Sequence, residues 1–276
     1  MDGAGRGAGP QDPDETGEVG TEHERARFEQ IGRNLAAVRA RIERACAAAG
    51  REPGQVTLIA VTKFFPAADA LALCAHGVAD LGENRDQEAA AKIPEVRARI
   101  ERSAALTGGQ PQLIAPRWHF IGQVQTNKAK SVVSYADVVH SVDRLKLVHA
   151  LDAAAAAAGR TLDCLVQVNL DPGAAGEGGP GGRGGAAPGE VERIADAVAA
   201  APALRLCGLM AVAPLGREPA AAFERLAEVR EKVRGAHPEA VSLSAGMSGD
   251  LEAAVAAGAT HVRIGSALLG GRPLLR

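Results

Sequence analysis

Aromatic side chains are scarce in this chain, with one Trp, one Tyr and five Phe among 276 residues. A surface that stacks nucleobases needs more π-faces than that. An excess of one charge is missing too. Lys and Arg total 31 against 33 Asp and Glu, a formal net charge of -2. Neither nucleic acid nor an anionic membrane is therefore an expected partner. No apolar run approaches the length of a membrane span. The opening "MDGAGRGAGPQDPDETGEVG" lacks the apolar core of a signal peptide, so a cytoplasmic chain is expected. Cys46, Cys74, Cys164 and Cys207 form no CxxC pair, which excludes a zinc knuckle and a redox motif. They read as small buried hydrophobes in a reducing compartment. The seven histidines show no HExxH, and no metal site is expected.

What is present is enough apolar residue for a full core, 46% of the chain. Residues 1–24 are rich in Gly, Pro and acid and are expected to be a disordered extension, with one domain over residues 25–276. Phe28, Ile31, Leu35, Val38 and Ile42 recur every three or four positions and predict one face of a helix. Apolar strands and helices then alternate, which predicts βαβ units and a parallel sheet. Strands are expected to end near Val61, Leu81, Ile121, His140, Asn169, Met210, Ser244 and Ile264. Eight such strands close a (β/α)8 barrel, which takes about 250 residues. The rival, a doubly wound open sheet, usually carries GxGxxG after its first strand. Here the first strand ends in Thr62-Lys63. The expectation is therefore an α/β chain with a single TIM-type barrel. The low-complexity tract at 172–189 reads as an insertion after the fifth strand rather than a phosphate loop.

In such barrels chemistry sits at the C-terminal ends of the strands. The polar residues gathered there include Lys63, Asn84, His119, Gln123, Asn127, Ser244, Ser248, Arg263 and Ser266. They contain no paired carboxylates of the glycosidase type, no GxSxG elbow and no GxxxxGK[ST] loop. After the seventh strand, "SAGMSGDLEAAVAAG" brings Ser244, Gly246, Ser248 and Gly249 to a helix start, with Met247 also counted among the cofactor-side residues. After the eighth, "RIGSALLGG" brings Arg263, Gly265 and Ser266 to another. Loops seven and eight often build the phosphate site of such barrels. Ordinary capping by Ser248 would explain one serine, but two such ends side by side favour an anion. Lys63 ends the strand that neighbours the eighth in a closed barrel. A ligand with both an aldehyde and a phosphate would bridge the two, and pyridoxal 5'-phosphate (PLP) is one, its aldehyde forming a Schiff base with lysine.

Several side chains stay open at this level. Asn84 can hydrogen-bond the cofactor or cap a helix. His119 can face the mouth or sit satisfied in the core. Met210 can pack on the cofactor ring or fill core. Gln123, Asn127 and Lys128 can rim the mouth or begin a helix. Arg263 can face phosphate or pair with a carboxylate.

The segments "AVTKFFP", "LGENRDQE", "WHFIGQVQTNK", "HSVDR", "LVQVNLD", "GLMAVAP" and "SAGMSGDLEAAVAAGATHVRIGSALLG" resemble, in that order, the pyridoxal phosphate homeostasis protein family. The resemblance spans about residues 28–273. It implies a barrel like the N-terminal domain of alanine racemases, with PLP on Lys63. It implies phosphate contacts from Ser248, Arg263, Gly265 and Ser266, and a cofactor-side Asn84. It also implies a carrier role in vitamin B6 and amino-acid homeostasis, with PLP-dependent apoenzymes as partners and no robust catalysis. The alternative is a PLP-dependent racemase or decarboxylase of weak activity. A two-base racemase needs a second acid/base from a β-rich domain, for which no room is expected after Arg276. The only tyrosine, Tyr135, is expected at the N-terminal face of the barrel. A monomer is expected for the same lack of a second domain. The glycine tract and the N-terminal extension depart from the family pattern, away from the matched segments.

Overall fold

The computed structural model describes residues 14–106, 113–171 and 184–271. Helix α1 (Asp14–Ala48) precedes the first strand. Eight strands follow: β1 (Thr57–Val61), β2 (Asp80–Glu83), β3 (Arg117–Phe120), β4 (Val138–Val142), β5 (Leu162–Val168), β6 (Leu204–Ala211), β7 (Ser242–Ser244) and β8 (His261–Ile264). All pair in parallel and in sequence order, and β1 closes on β8 with Ala60 opposite Ile264. The helices between and after them are α2 (Ala67–Ala75), α3 (Asp86–Leu106), α4 (Ala129–Tyr135), α5 (Leu145–Ala157), α6 (Val191–Ala200), α7 (Pro219–Ala236), α8 (Leu251–Ala256) and α9 (Ser266–Leu269). The expected eight-stranded barrel is therefore the observed fold.

The local reasons are those of a parallel sheet covered by helices. Strand β5, "LDCLVQV", is buried along its whole length, as a strand with packing on both faces must be. On α1, Ile31, Leu35, Val38 and Ile42 are buried as expected, while Phe28 is 39% exposed and stacks on His76. Helix α1 already begins at Asp14, inside the segment expected to lack structure, and residues 1–13 lie outside the described residues. Helix α3 runs through Pro94. The proline removes the N–H that would reach the Ala90 carbonyl, and Ala90 is exposed, so water can replace that partner.

Most of the glycine tract, residues 172–183, lies outside the described residues. Its far end returns beside β5. Ala186 N–H donates to the Gln167 carbonyl at 2.8 Å, and Asn169 N–H donates to the Ala186 carbonyl at 2.8 Å. Among the described residues no helix is long and apolar enough to cross a membrane. None of the described residues forms a cluster of three or more His, Cys, Asp or Glu placed to hold a metal ion.

Candidate functional site

Strand β1 delivers Lys63 to the barrel mouth. Ile59 is level with Arg263 of β8, and Val61 packs where a Gly82 side chain would point. Side chains alternate along a strand, so Lys63 shares the inward side of Ile59 and Val61. It is half-buried and, among the described residues, forms no hydrogen bond or ion pair. Its Nζ lies 5.8 Å from the centre of the Phe64 ring. Phe64 is the one non-glycine residue with positive φ among the described residues, at 69°. Its N–H donates to Glu88 Oε2 at 3.0 Å, which helps hold this uncommon turn.

The peptide just before Lys63 is pinned from outside the wall. Lys92 of α3 donates to the Thr62 carbonyl at 2.8 Å and to Glu83 Oε1 at 2.6 Å. Thr62 Oγ1 donates to the same Glu83 oxygen at 2.6 Å. Glu83 Oε2 is buried without a partner. Burial pushes the Glu83 carboxyl above its ordinary pKa, and Lys92 and Thr62 only partly oppose this. Lys92 was not among the residues singled out from the sequence. A signal was there, because it interrupts the buried stripe of Ala89, Ile93, Val96 and Ile100.

The loops after β7 and β8 meet beside this lysine. Ser248 Oγ and Ser266 Oγ are 3.4 Å apart. The N–H groups of Ser248, Gly249, Ser266 and Ala267 find no acceptor among the described residues. A Cβ on Gly265 would lie 3.4 Å from both the Cβ and the carbonyl oxygen of Val61, an ordinary van der Waals contact, which places this loop against the end of β1. At Gly246 the chain turns with φ of 93°, and a Cβ would come within 2.7 Å of Ala254 Cβ. Met247 is exposed, and its N–H donates to Asp250 Oδ1 at 2.6 Å.

Below the mouth a polar chain crosses the barrel. Arg263 is 4% exposed and donates to Ser244 Oγ at 2.7 Å and to the Ala211 carbonyl at 2.8 Å. Neither of the two fates considered for it, a carboxylate partner or an open phosphate contact, describes these bonds. It forms no ion pair among the described residues, and burial lowers its pKa to about 10. Ser244 Oγ also lies 3.0 Å from His140 Nδ1, so its hydroxyl is occupied inside the barrel rather than offered at the mouth. His140 Nε2 is 2.8 Å from His119 Nδ1, whose Nε2 is 2.8 Å from Asp80 Oδ1. A contact from β4 to β7 is possible only through the interior. His119 is thus a satisfied core histidine. Burial lowers the pKa of His119, holds that of His140 well below the usual value, and takes that of His261 to about 4. The chain ends in a cavity of about 230 Å³ at the opposite face, lined by Arg117, Asp163, Arg205 and His261.

The other expected residues separate clearly. Met210 is buried against Val138 and Leu165 inside the barrel. Asn84 is half-buried with its Oδ1 unpartnered, beside a cleft of about 380 Å³ that also borders Gln123 and Lys128. Lys128 pairs with Asp86 at 3.3 Å, while Gln123 and Asn127 are exposed. Tyr135 departs from its expected place. Its hydroxyl donates to Asp86 Oδ1 at 3.1 Å, at the mouth-side start of α3, because a helical side chain leans toward its own N-terminus. The ring packs near Phe120 in the layer outside the wall, away from the mouth.

Comparison with known proteins agrees with this geometry. The family model described as "Alanine racemase, N-terminal domain" matches residues 33–273. The pyridoxal phosphate homeostasis protein of Mycobacterium tuberculosis is 44% identical over 256 residues, covering 90% of this chain and 95% of that one. Among solved structures, PipY of Synechococcus elongatus with PLP bound is 33% identical, with a TM-score of 0.68 over 87% of this chain and 100% of PipY. An alanine racemase from Corynebacterium glutamicum shares the fold, with a TM-score of 0.61 at 15% identity, over 90% of this chain and 62% of the racemase.

Proposed function

The chain belongs to the pyridoxal phosphate homeostasis protein family, and we infer from this and from its barrel mouth that it binds PLP through Lys63 and serves PLP homeostasis. The observation that carries the reading is a juxtaposition. An unpaired amine ends β1, and four unpaired N–H groups with two serine hydroxyls lie on the loops beside it.

The residues present suit the group. Asn84 Oδ1 is a buried acceptor with no partner, as expected of a side chain that meets a ligand donor. Arg263 is a buried cation without a carboxylate, and an anionic ligand would offset its charge. When bound, PLP supplies an aldehyde and an electron-withdrawing pyridine ring. Lys63 would hold the aldehyde end, its neutral amine being the nucleophile that an aldehyde requires. Ser248, Ser266 and the unpaired amides would hold the phosphate, with Gly265 giving it access. Asn84 would fix the ring side. Arg263, positioned by Ser244, would set the charge of the floor. Met247 lies at the rim of the seventh loop, and Met210 and Ser244 support from beneath rather than touch the ligand.

We read the protein as a carrier or regulator rather than a racemase or decarboxylase. The candidate second base, Tyr135, is committed to Asp86 outside the wall, and burial and that carboxylate raise its pKa. A monomeric chain that hands PLP to apoenzymes is the corresponding cellular role. Borohydride reduction of the PLP-loaded protein, followed by peptide mapping, tests the central assignment. A pyridoxyl adduct on Lys63, absent in Lys63→Ala, is expected. An adduct at another lysine refutes it. Sustained turnover of amino acids by the loaded protein refutes the carrier reading while leaving Lys63 in place.

A further inference from the structure

Three side chains of α1 reach the two candidate phosphate loops from behind. Arg27, Asn34 and Arg41 are spaced by seven residues, two helical turns each, and so form one stripe along the helix. Each donates to a loop carbonyl. Arg27 Nη2 reaches Leu269 O at 3.0 Å, Asn34 Nδ2 reaches Leu268 O at 2.8 Å, and Arg41 Nη1 reaches Ser248 O at 2.7 Å. Both arginines are braced in turn. Arg27 grips Asp69 of α2 with bonds of 3.2 and 2.6 Å, and Arg41 grips Glu252 of α8 with two bonds of 2.6 Å.

The consequence follows from peptide geometry. The peptide joining Ser248 to Gly249 is planar and trans, so its C=O and N–H point in opposite directions. Arg41 holds the carbonyl toward α1, which turns the Gly249 N–H away from α1, where it has no acceptor among the described residues. A cation on the carbonyl also polarises the peptide and strengthens that N–H as a donor. In the other loop, Leu268 and Leu269 carry the last carbonyls of α9, which have no partner within so short a helix. Asn34 and Arg27 supply those partners. Holding the end of a four-residue helix also holds Ser266 and Ala267 at its start.

We propose that Arg27, Asn34 and Arg41 are positioning residues for phosphate recognition, one stripe of α1 that orients the amides of both loops. The proposal rests on the assignment of these loops to the phosphate of PLP. Spectral titration with PLP and with pyridoxal, which has the aldehyde without the phosphate, tests it. Arg41→Met and Asn34→Ala each lower PLP affinity about tenfold while pyridoxal affinity stays within about twofold, the scale of one lost charge-assisted or neutral hydrogen bond. Arg41→Lys, which keeps one donor, recovers part of the loss. Arg44→Met removes the same charge from an exposed neighbour without a loop contact and leaves the PLP-to-pyridoxal ratio within about twofold of the parent. An unchanged ratio in both Arg41→Met and Asn34→Ala overturns the proposal. Equal loss of both ligands also overturns it, because it makes the stripe a general prop of the fold. No preference for PLP in the parent protein overturns the phosphate-loop assignment itself, and the proposal with it.

Discussion

Replacing Lys92 with Met separates the support behind Lys63 from the site itself. Met keeps the length and apolar stem of Lys but donates to neither Glu83 nor the Thr62 carbonyl. Glu83, 1% exposed, is then left buried without its cation. The cost has a ceiling, because the carboxyl can take up a proton instead of staying charged. Protonating a carboxyl of ordinary pKa 4.5 at pH 7 costs 2.5 units, or about 3.4 kcal/mol. The orphaned Thr62 carbonyl adds about 1 kcal/mol, although Phe65 N–H still reaches it at 3.1 Å. Burial already holds Glu83 above its ordinary pKa in the parent, so part of this cost precedes the substitution, and a loss of up to about 3–4 kcal/mol at pH 7 is expected.

The same argument fixes the pH dependence of that loss. In the variant, the folded chain holds a proton on Glu83 that the unfolded chain lacks at any pH above 4.5. Lowering pH therefore restores stability to the variant relative to the parent, by about 1.4 kcal/mol per unit, down toward pH 4.5. Urea unfolding followed by the fluorescence of Trp118, the only tryptophan and fully buried, reads this directly. The loss should shrink from at most about 3–4 kcal/mol at pH 7 to at most about 1–2 kcal/mol at pH 5.5. Adding Glu83→Gln to Lys92→Met should recover at least about 2 kcal/mol at pH 7, because Gln is neutral without having to take up a proton. A loss below about 1 kcal/mol at pH 7, or one equal at both pH values, would refute the reasoning.

His261 is neutral in the folded barrel, with a pKa of about 4 against an ordinary 6.5, so the unfolded chain binds more protons below pH 6.5. Stability is lost as pH falls through that window, by about 2 kcal/mol from pH 7 to 5 for this residue alone, and His261→Asn should flatten the urea-midpoint profile accordingly. His119 and His140 act in the same direction, and a flat parent profile would count against all three. Asn84→Ala removes a buried acceptor that has no partner, so ligand-free stability should hold or rise by about 1 kcal/mol while PLP affinity falls, and a drop in both would make Asn84 a structural cap. Gly246→Ala places a Cβ 2.7 Å from Ala254 at a φ of 93°, and calorimetry should show a loss of about 2 kcal/mol together with weaker PLP binding.

Strand β1 was legible as an apolar run closed by polar residues, while β2, β3, β7 and β8 are short and carry polar residues, and their places followed from the regular alternation with helices. The two small-residue loops were legible from their own residues. What could not be read were contacts that depend on closure. His140 and Ser244 are 104 residues apart and meet only because β4 and β7 face each other across the interior. The hydrogen bond from Arg263 to Ser244 depends on closure in the same way. Tyr135 ends α4 just before β4, as its position in the chain implies, but the reach of its hydroxyl back over a turn of its helix to Asp86 could not be read.

The least legible contacts share one form. Lys92 holds the carbonyl of Thr62, Arg263 that of Ala211, Arg41 that of Ser248, Asn34 that of Leu268 and Arg27 that of Leu269. In each case a polar side chain from another element grips the backbone of a segment at or beneath the mouth. A carbonyl carries no residue identity, so the acceptor leaves no trace in the sequence, and the donor looks like any surface Lys, Arg or Asn. Burial is what distinguishes Lys92, and seven-residue spacing is what distinguishes the α1 stripe. A site whose ligand is to be held by backbone amides needs those amides fixed before the ligand arrives, since ordering them on binding would cost affinity. The helices around this barrel thus orient the main chain proposed to meet the cofactor, and substitutions there should change affinity without touching a ligand atom.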